Sequence, residues 1–188
     1  NSATDFGGGL YGCDGTIKDN TIIGNSAWMG GGLDSCGGTI QKNTIKSNTA
    51  DVGGGLWGCA GTIQGNTITS NTATDSGGGL SDCGGAIVNN AITSNSADYG
   101  GGFYWCVGTI RNNTISGNTA DYGGGLYWGG DIINCIIWGN TGYQVDELDN
   151  NPTYSCIQGG YSGTGNIKSN PGFASDDDYH LMAGSPCI

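Results

Sequence analysis

The chain has 188 residues, 40 of them Gly, and a formal charge of −11 at pH 7. Its basic residues, Lys18, Lys42, Lys46, Arg111 and Lys168, are scattered, which argues against a nucleic acid or an anionic membrane surface as partner. The Gly has no three-residue period, so collagen is excluded, and no apolar run approaches the ~20 residues of a spanning helix.

From Asn1 the chain reads NSATDFGGGLYGCDGTIKDNTIIG, and the same frame returns at Asn25, Asn48, Asn71, Asn95 and, more worn, at Asn118. The plainest copy is NTADVGGGLWGCAGTIQGNTITS, Asn48 to Ser70. A fixed period of about 23 residues predicts stacked repeats. Each copy has three short apolar beats. The first is Leu10, Leu33, Leu56, Leu80, Phe103 and Leu126, just after a Gly triplet. The second is Ile17, Ile40, Ile63, Ile87, Ile110 and Ile132; the third is Ile22, Ile45, Ile68, Ile92, Ile115 and Ile137. Polar and apolar residues alternate around each beat, as in GTIQ and NTITS, so each predicts a strand. No window carries a helical stripe, and Gly at this density opposes a helix.

Three short strands that return to the same phase predict one coil of a parallel β-helix, with rungs about 4.8 Å apart. The expected fold is all-β, a single-domain β-solenoid with six regular rungs over 1–139. An irregular terminal rung or two and a partial cap then occupy 140–188. Stacking turns repeat positions into columns. Asn25, Asn48, Asn71, Asn95 and Asn118 form one; Asn20, Asn43, Asn66, Asn90 and Asn113 form another, which Cys135 enters on the sixth rung. Asn amides can bond to each other and to turn backbone, and Asn tolerates the left-handed conformation of bends. Ala27, Ala50, Ala73, Ala97 and Ala120 suit a tight inner corner. Past Asn140 the period fails. A long loop, a strand near Tyr154–Ile157 and further short strands are expected, with Asp176–Asp178 as a solvated turn and His180 as a structural residue.

The pattern GGGLYxC…GTIxxNTIxxNTA resembles the right-handed parallel β-helix repeats of large secreted bacterial surface proteins, including those resembling polymorphic outer-membrane proteins. Tyr154 to Phe173, followed by Asp177 to Ile188, is similar to the segment that often follows such repeats. The resemblance covers the whole chain. It implies a right-handed coil, export, and an extracellular or cell-surface setting; its members include structural, adhesive and carbohydrate-related proteins. Eight Cys without a CxxC pair also fit an oxidising compartment. The chain opens inside a repeat, as a mature chain or a fragment would.

Several columns could carry chemistry. Cys13, Cys36, Cys59, Cys83 and Cys106 stack, with Gly129 in the sixth rung. Two readings stand side by side: bridges between adjacent rungs, such as Cys13–Cys36 and Cys59–Cys83, with Cys156–Cys187 at the end, or a ladder of reduced thiols acting as small hydrophobes. Asp5, Asp51, Asp75, Asp98 and Asp121 form turns or, less simply, share calcium, although calcium wants more oxygens than single carboxylates supply. No cofactor is otherwise called for. Trp57, Tyr104, Trp105, Tyr127 and Trp128, with Tyr11, Tyr99 and Tyr122, form an outward aromatic strip suited to assembly or to sugar rings. Thr columns, such as Thr16, Thr39, Thr62 and Thr109, suit strands more than ice.

Many parallel β-helices cleave polysaccharides, and a hydrolase needs converging carboxylates. Here carboxylates follow the repeat, with Asp34 and Asp82 read as sharing a column two rungs apart. No catalytic residue and no metal site is assigned. The reading is a non-enzymatic extracellular structural protein, a filament subunit stacking end to end on further copies, or an adhesin stalk. The alternative is a module that binds or cleaves polysaccharides, with surface glycans as partners. Neither nucleic acid binding nor membrane insertion is expected.

Overall fold

The computed structural model describes residues 1–175 and 178–188. Every regular element in them is a strand, and three parallel sheets run the length of a single solenoid. The first sheet stacks Leu10–Tyr11, Leu33–Asp34, Leu56–Trp57, Leu80–Ser81, Phe103–Cys106, Leu126–Gly129 and Val145–Asp146. The second stacks Ile17–Lys18, Ile40–Gln41, Ile63–Gln64, Ile87–Val88, Ile110–Arg111 and Ile132–Ile133. The third stacks Thr21–Ile23, Thr44–Lys46, Thr67–Thr69, Ala91–Thr93, Thr114–Ser116, Ile136–Trp138 and Cys156–Ile157. Register follows the repeat: Leu33 pairs with Leu56, Ile40 with Ile63, Ile45 with Ile68. All three apolar beats therefore point into one core, where the interior Leu and Ile are fully buried. Ala50, Ala73, Ala97 and Ala120 line the inner corner as expected.

The strands are short because each ends in a bend, and the bends share one conformation. Positive φ recurs two residues after the first apolar beat (Gly12, Ser35, Gly58, Asp82, Trp105, Trp128), which for Trp105 and Trp128 falls within Phe103–Cys106 and Leu126–Gly129. It recurs after the second strand (Asp19, Lys42, Gly65, Asn89, Asn112, Asn134) and after the third (Gly24, Ser47, Ser70, Ser94, Gly117, Gly139). The first Gly of each triplet makes the fourth bend; Gly53 sits at φ +67. Its neighbour Gly55 is there for space, since a Cβ would lie 2.5 Å from the Gly79 carbonyl of the next rung.

The two Asn columns correct one expectation. Their members follow the left-handed residue instead of occupying it, and their task is hydrogen bonding. Asn48 donates from both its backbone N–H and Nδ2 to Asn71 Oδ1, at 3.0 Å each, and from Nδ2 to the Ile22 carbonyl at 3.0 Å. Its own Oδ1 accepts the Asn25 N–H and Nδ2 at 3.0 and 2.9 Å. Each buried amide is thus filled on both sides, and each corner's backbone groups find partners without water. Cys135 keeps the same place with a weaker donor, its Sγ reaching the Ile110 carbonyl at 3.5 Å.

The terminal region adds a distorted turn. Val145–Asp146 pairs with Leu126–Tyr127, and Cys156–Ile157 with Ile136–Ile137. Leu148 and Tyr161 pack against the end of the core, Leu148 beside the space that Gly129 leaves in the Cys column. Phe173–Ser175 and Asp178–Leu181 then form an antiparallel pair that lies beside the third sheet. Asp176 and Asp177, expected in a solvated turn, lie outside the described residues.

Candidate functional site

Two adjacent positions on the outside of the first sheet hold the aromatic residues. The outward residue of each first-sheet strand gives the column Tyr11, Asp34, Trp57, Ser81, Tyr104, Tyr127, Asp146. The bend residue that follows gives Gly12, Ser35, Gly58, Asp82, Trp105, Trp128. On rungs five and six both positions are aromatic. Tyr104 and Tyr127 stack with centroids 5.9 Å apart and planes 3° from parallel. Trp105 and Trp128 lie 4.3 Å apart at 32°. Tyr99 and Tyr122, from the column before the Gly triplet, stack at 5.1 Å, and Tyr99 meets Tyr127 edge-on at 5.6 Å. The result is a six-ring ladder at one corner of the rod.

Six of the eight expected aromatics meet here, Tyr99 and Tyr122 among them. Trp57 does not, because Ser81 separates it from Tyr104 by one rung. Tyr99 and Tyr122 belong to the ladder more closely than their separation in sequence suggests. Their own recurrence, against Phe6, Met29, Val52 and Ser76 in the other rungs, was the available signal.

Trp105 and Trp128 take φ of +49° and +54° at a bend that Gly12 and Gly58 make without strain. A left-handed L-residue costs roughly 1–2 kcal/mol, and a bulky one is rare there. Strain of this kind concentrates where a side chain has a task. The rim is acidic. Burial, and then Asp75 and Asp82, push the Tyr104 hydroxyl above its ordinary pKa; Tyr127 is pushed up by burial, Glu147 and Asp146.

The other expected sites look different in three dimensions. All eight cysteines are free thiols, so the bridges Cys13–Cys36, Cys59–Cys83 and Cys156–Cys187 are not formed. In an in-register parallel column, neighbouring Cα–Cβ bonds run side by side about 4.8 Å apart, whereas a disulfide draws its Cβ atoms to about 3.8 Å. The thiols of Cys36, Cys59 and Cys83 instead donate to the carbonyl two residues back, each at 3.4 Å. Cys156 donates to the Ser169 carbonyl at 3.1 Å, and burial with the nearby Cys187 thiol pushes its pKa up to about 12. Hydrogen bonding to Cys59 and burial likewise raise the Cys36 thiol, which disfavours the reactive thiolate at that position.

Asp34 and Asp82 do not share a column: Asp34 aligns with Ser81, and Asp82 sits one residue later at the bend. The column Asp5, Asp51, Asp75, Asp98 and Asp121 is exposed, and among the described residues no three His, Cys, Asp or Glu converge on a metal position. His180 is paired: its N–H donates to the Asp178 carboxylate at 3.0 Å and its ring Nδ1 meets the same oxygen. Those bonds hold Asp178 below the usual carboxylate range. This pair walls an open groove of about 560 Å³, whose floor is hydroxyls and amides of Thr67, Thr69, Asn89, Thr93, Asn112 and Thr114.

Comparison of the chain with protein-family profiles, with characterised proteins and with solved structures finds no match.

Proposed function

We propose that this chain is a non-enzymatic, extracellular structural element, a filament subunit or adhesin stalk that extends by stacking rung on rung. What supports this reading is the repetition of the frame, in which each rung offers the next the same amide ladder and apolar beats, with Leu33 paired to Leu56, Ile40 to Ile63 and Ile45 to Ile68. In the second rung Asn43 Oδ1 accepts the Asn20 N–H and Nδ2, at 2.9 and 3.2 Å, and the Thr44 N–H donates to the Asn20 carbonyl at 2.9 Å. The matching groups of the first rung, Asn20 Oδ1 and the Thr21 N–H, meet no partner among the described residues. Leu10 is half-buried, where Leu33 and Leu56 are fully covered. An edge with unpaired donors, acceptors and apolar surface accepts strands that run in the same sense. A rung from a second copy or from more of the same polypeptide supplies them equally, and a contact that repeats without closing builds a fibre.

Leu10→Lys places a charge on the first rung's edge, where Leu10 packs on the core from one side only, and circular dichroism establishes that the variant stays folded. Light scattering over a concentration series should show mass growing for the parent chain and a constant monomer mass for the variant. A parent chain that stays monomeric at the highest concentration, with no fibres by electron microscopy, overturns the reading.

The aromatic ladder and the polar groove favour a second reading, a polysaccharide-binding or polysaccharide-cleaving module. Stacked rings with an acidic rim on the first sheet, and separately a groove of hydroxyls and amides beside the third sheet, are each surfaces that suit neutral sugars. A glycan array with a reducing-end assay tests it. Binding lost in Trp128→Ala supports the module, and no binding across the array rejects it.

A further inference from the structure

Asp34 is the one carboxylate among the described residues that is fully buried, at 0 % exposure, and both of its oxygens lack a hydrogen-bond partner. It does not face the core. It stands in the outward column, with Tyr11 on the rung below and Trp57 on the rung above, and Gly30 presses against its Cβ. Phe6 stacks on Tyr11 at 5.8 Å, and Trp28 lies 6.4 Å from Phe6. A carboxylate cut off from solvent, with aromatic residues on the rungs directly below and above, carries a large desolvation cost that a cation would offset. Ser81 and Tyr104 take this position in later rungs, so the stacking frame itself does not require an acid.

The chain does not supply that cation from nearby. Lys18 and Arg111 stand on the second sheet, with Lys42 at the bend after it; Lys46 stands on the third sheet and Lys168 in the tail. Lys18 is already beside Asp19 at 3.5 Å. A hard metal ion would need several oxygens, and here one carboxylate stands among rings. One negative charge with aromatic walls is the donor set that suits an alkylammonium group, held by ion pairing and by attraction to ring faces. Tyr11, on the rung below, is 59 % exposed, so its ring is free to turn and admit a ligand to the carboxylate while the strand hydrogen bonds stay intact.

We propose that Tyr11, Asp34 and Trp57 form a binding site for an alkylammonium group carried by another molecule. The probes are tetramethylammonium chloride and butylammonium chloride, with sodium chloride at equal ionic strength as the reference. Titration is followed by tryptophan fluorescence and by the proton shift of the probe, which ring currents over an occupied box move upfield. The expected result is saturable binding of at least one probe, weakened tenfold or more by Asp34→Asn and by Trp57→Leu. Tyr11→Ala, an exposed change that leaves the interior alone, should weaken it as well. A preference for tetramethylammonium assigns a quaternary headgroup, and a preference for butylammonium a lysine-like chain. No saturation with either probe, or equal affinity in folded Asp34→Asn, overturns the proposal; circular dichroism establishes that each variant is folded.

Discussion

On rungs five and six the outward column holds Tyr104 and Tyr127 and the following bend holds Trp105 and Trp128. On rungs one to three the same two positions hold Tyr11, Asp34 and Trp57, then Gly12, Ser35 and Gly58. The backbone beneath is the same. In the upper region the cost lies in the main chain, two bulky residues in the left-handed conformation, and stacked rings offset it. In the lower region two of the three bends are glycine and the third is the small Ser35, and the larger cost lies in a buried carboxylate without a partner. The frame of Asn ladders and Ile core is therefore stable enough to carry outward residues that do nothing for folding. Positions where it carries a penalty are the ones to test.

The largest effect should come from breaking the frame that both regions share. Asn71→Leu removes the acceptor of the Asn48 N–H and Nδ2 and the donor to the Ile45 carbonyl. Each buried group left unpaired costs about 1–3 kcal/mol, so about 4 kcal/mol or more is lost. Against a total of roughly 5–15 kcal/mol this should lower the urea midpoint steeply. Asn20→Ala, on the uncovered first rung, touches one side of the ladder only and should cost about 1 kcal/mol. Equal midpoints for the two variants would mean that the ladders do not hold the rod together.

The sequence showed the frame because identical residues stack. Leu56, Ile63 and Ile68 recur in step, and a column of like residues is a pattern in the letters before it is a structure. The period also marked the Asn, Ala and Cys columns and the aromatic rungs. It says which positions share an environment and not which backbone angle each adopts, so the left-handed residues were placed one position late, on Asn43 in place of Lys42. The one-residue offset between LDSC and LSDC likewise put Asp34 and Asp82 in a single column. Disulfide formation depends on the direction of Cβ bonds, which spacing does not carry. The burial of Asp34 depends on the neighbouring rungs, since it reads as an exposed acid on its own strand. The path of the tail beside the third sheet has no repeat to reveal it.

A second prediction concerns the lower region alone. Burial raises the Asp34 pKa and outweighs the nearby Ser35 hydroxyl, which lowers it, so the folded chain binds the proton more tightly than the unfolded chain does. Stability from this group is complete below the unfolded value of about 3.9 and is lost as pH rises through the higher folded value. Urea unfolding of the parent chain should therefore weaken from pH 3 toward neutrality relative to Asp34→Asn. The variant should be about 1–3 kcal/mol more stable at pH 7 and no more stable at pH 3. A constant difference between the two across that range would mean that Asp34 keeps its charge solvated or paired in the folded state.

The smallest effect separates backbone strain from ring contact in the upper region. Trp105→Gly removes the 4.3 Å contact with Trp128, worth about 0.5–1.5 kcal/mol, and also relieves about 1–2 kcal/mol of left-handed strain. The two nearly cancel, and its melting temperature should stay close to the parent's. Trp105→Ala loses the same contact and keeps the strain, because a Cβ is enough to cause it. The alanine variant should thus be less stable than the glycine variant by about 1 kcal/mol, even though glycine is ordinarily the worse residue to order in a folded chain. An alanine variant as stable as the glycine one would mean that the bend relaxes once the ring is gone. The tryptophans, not the coil, would then be what holds that corner in its left-handed form.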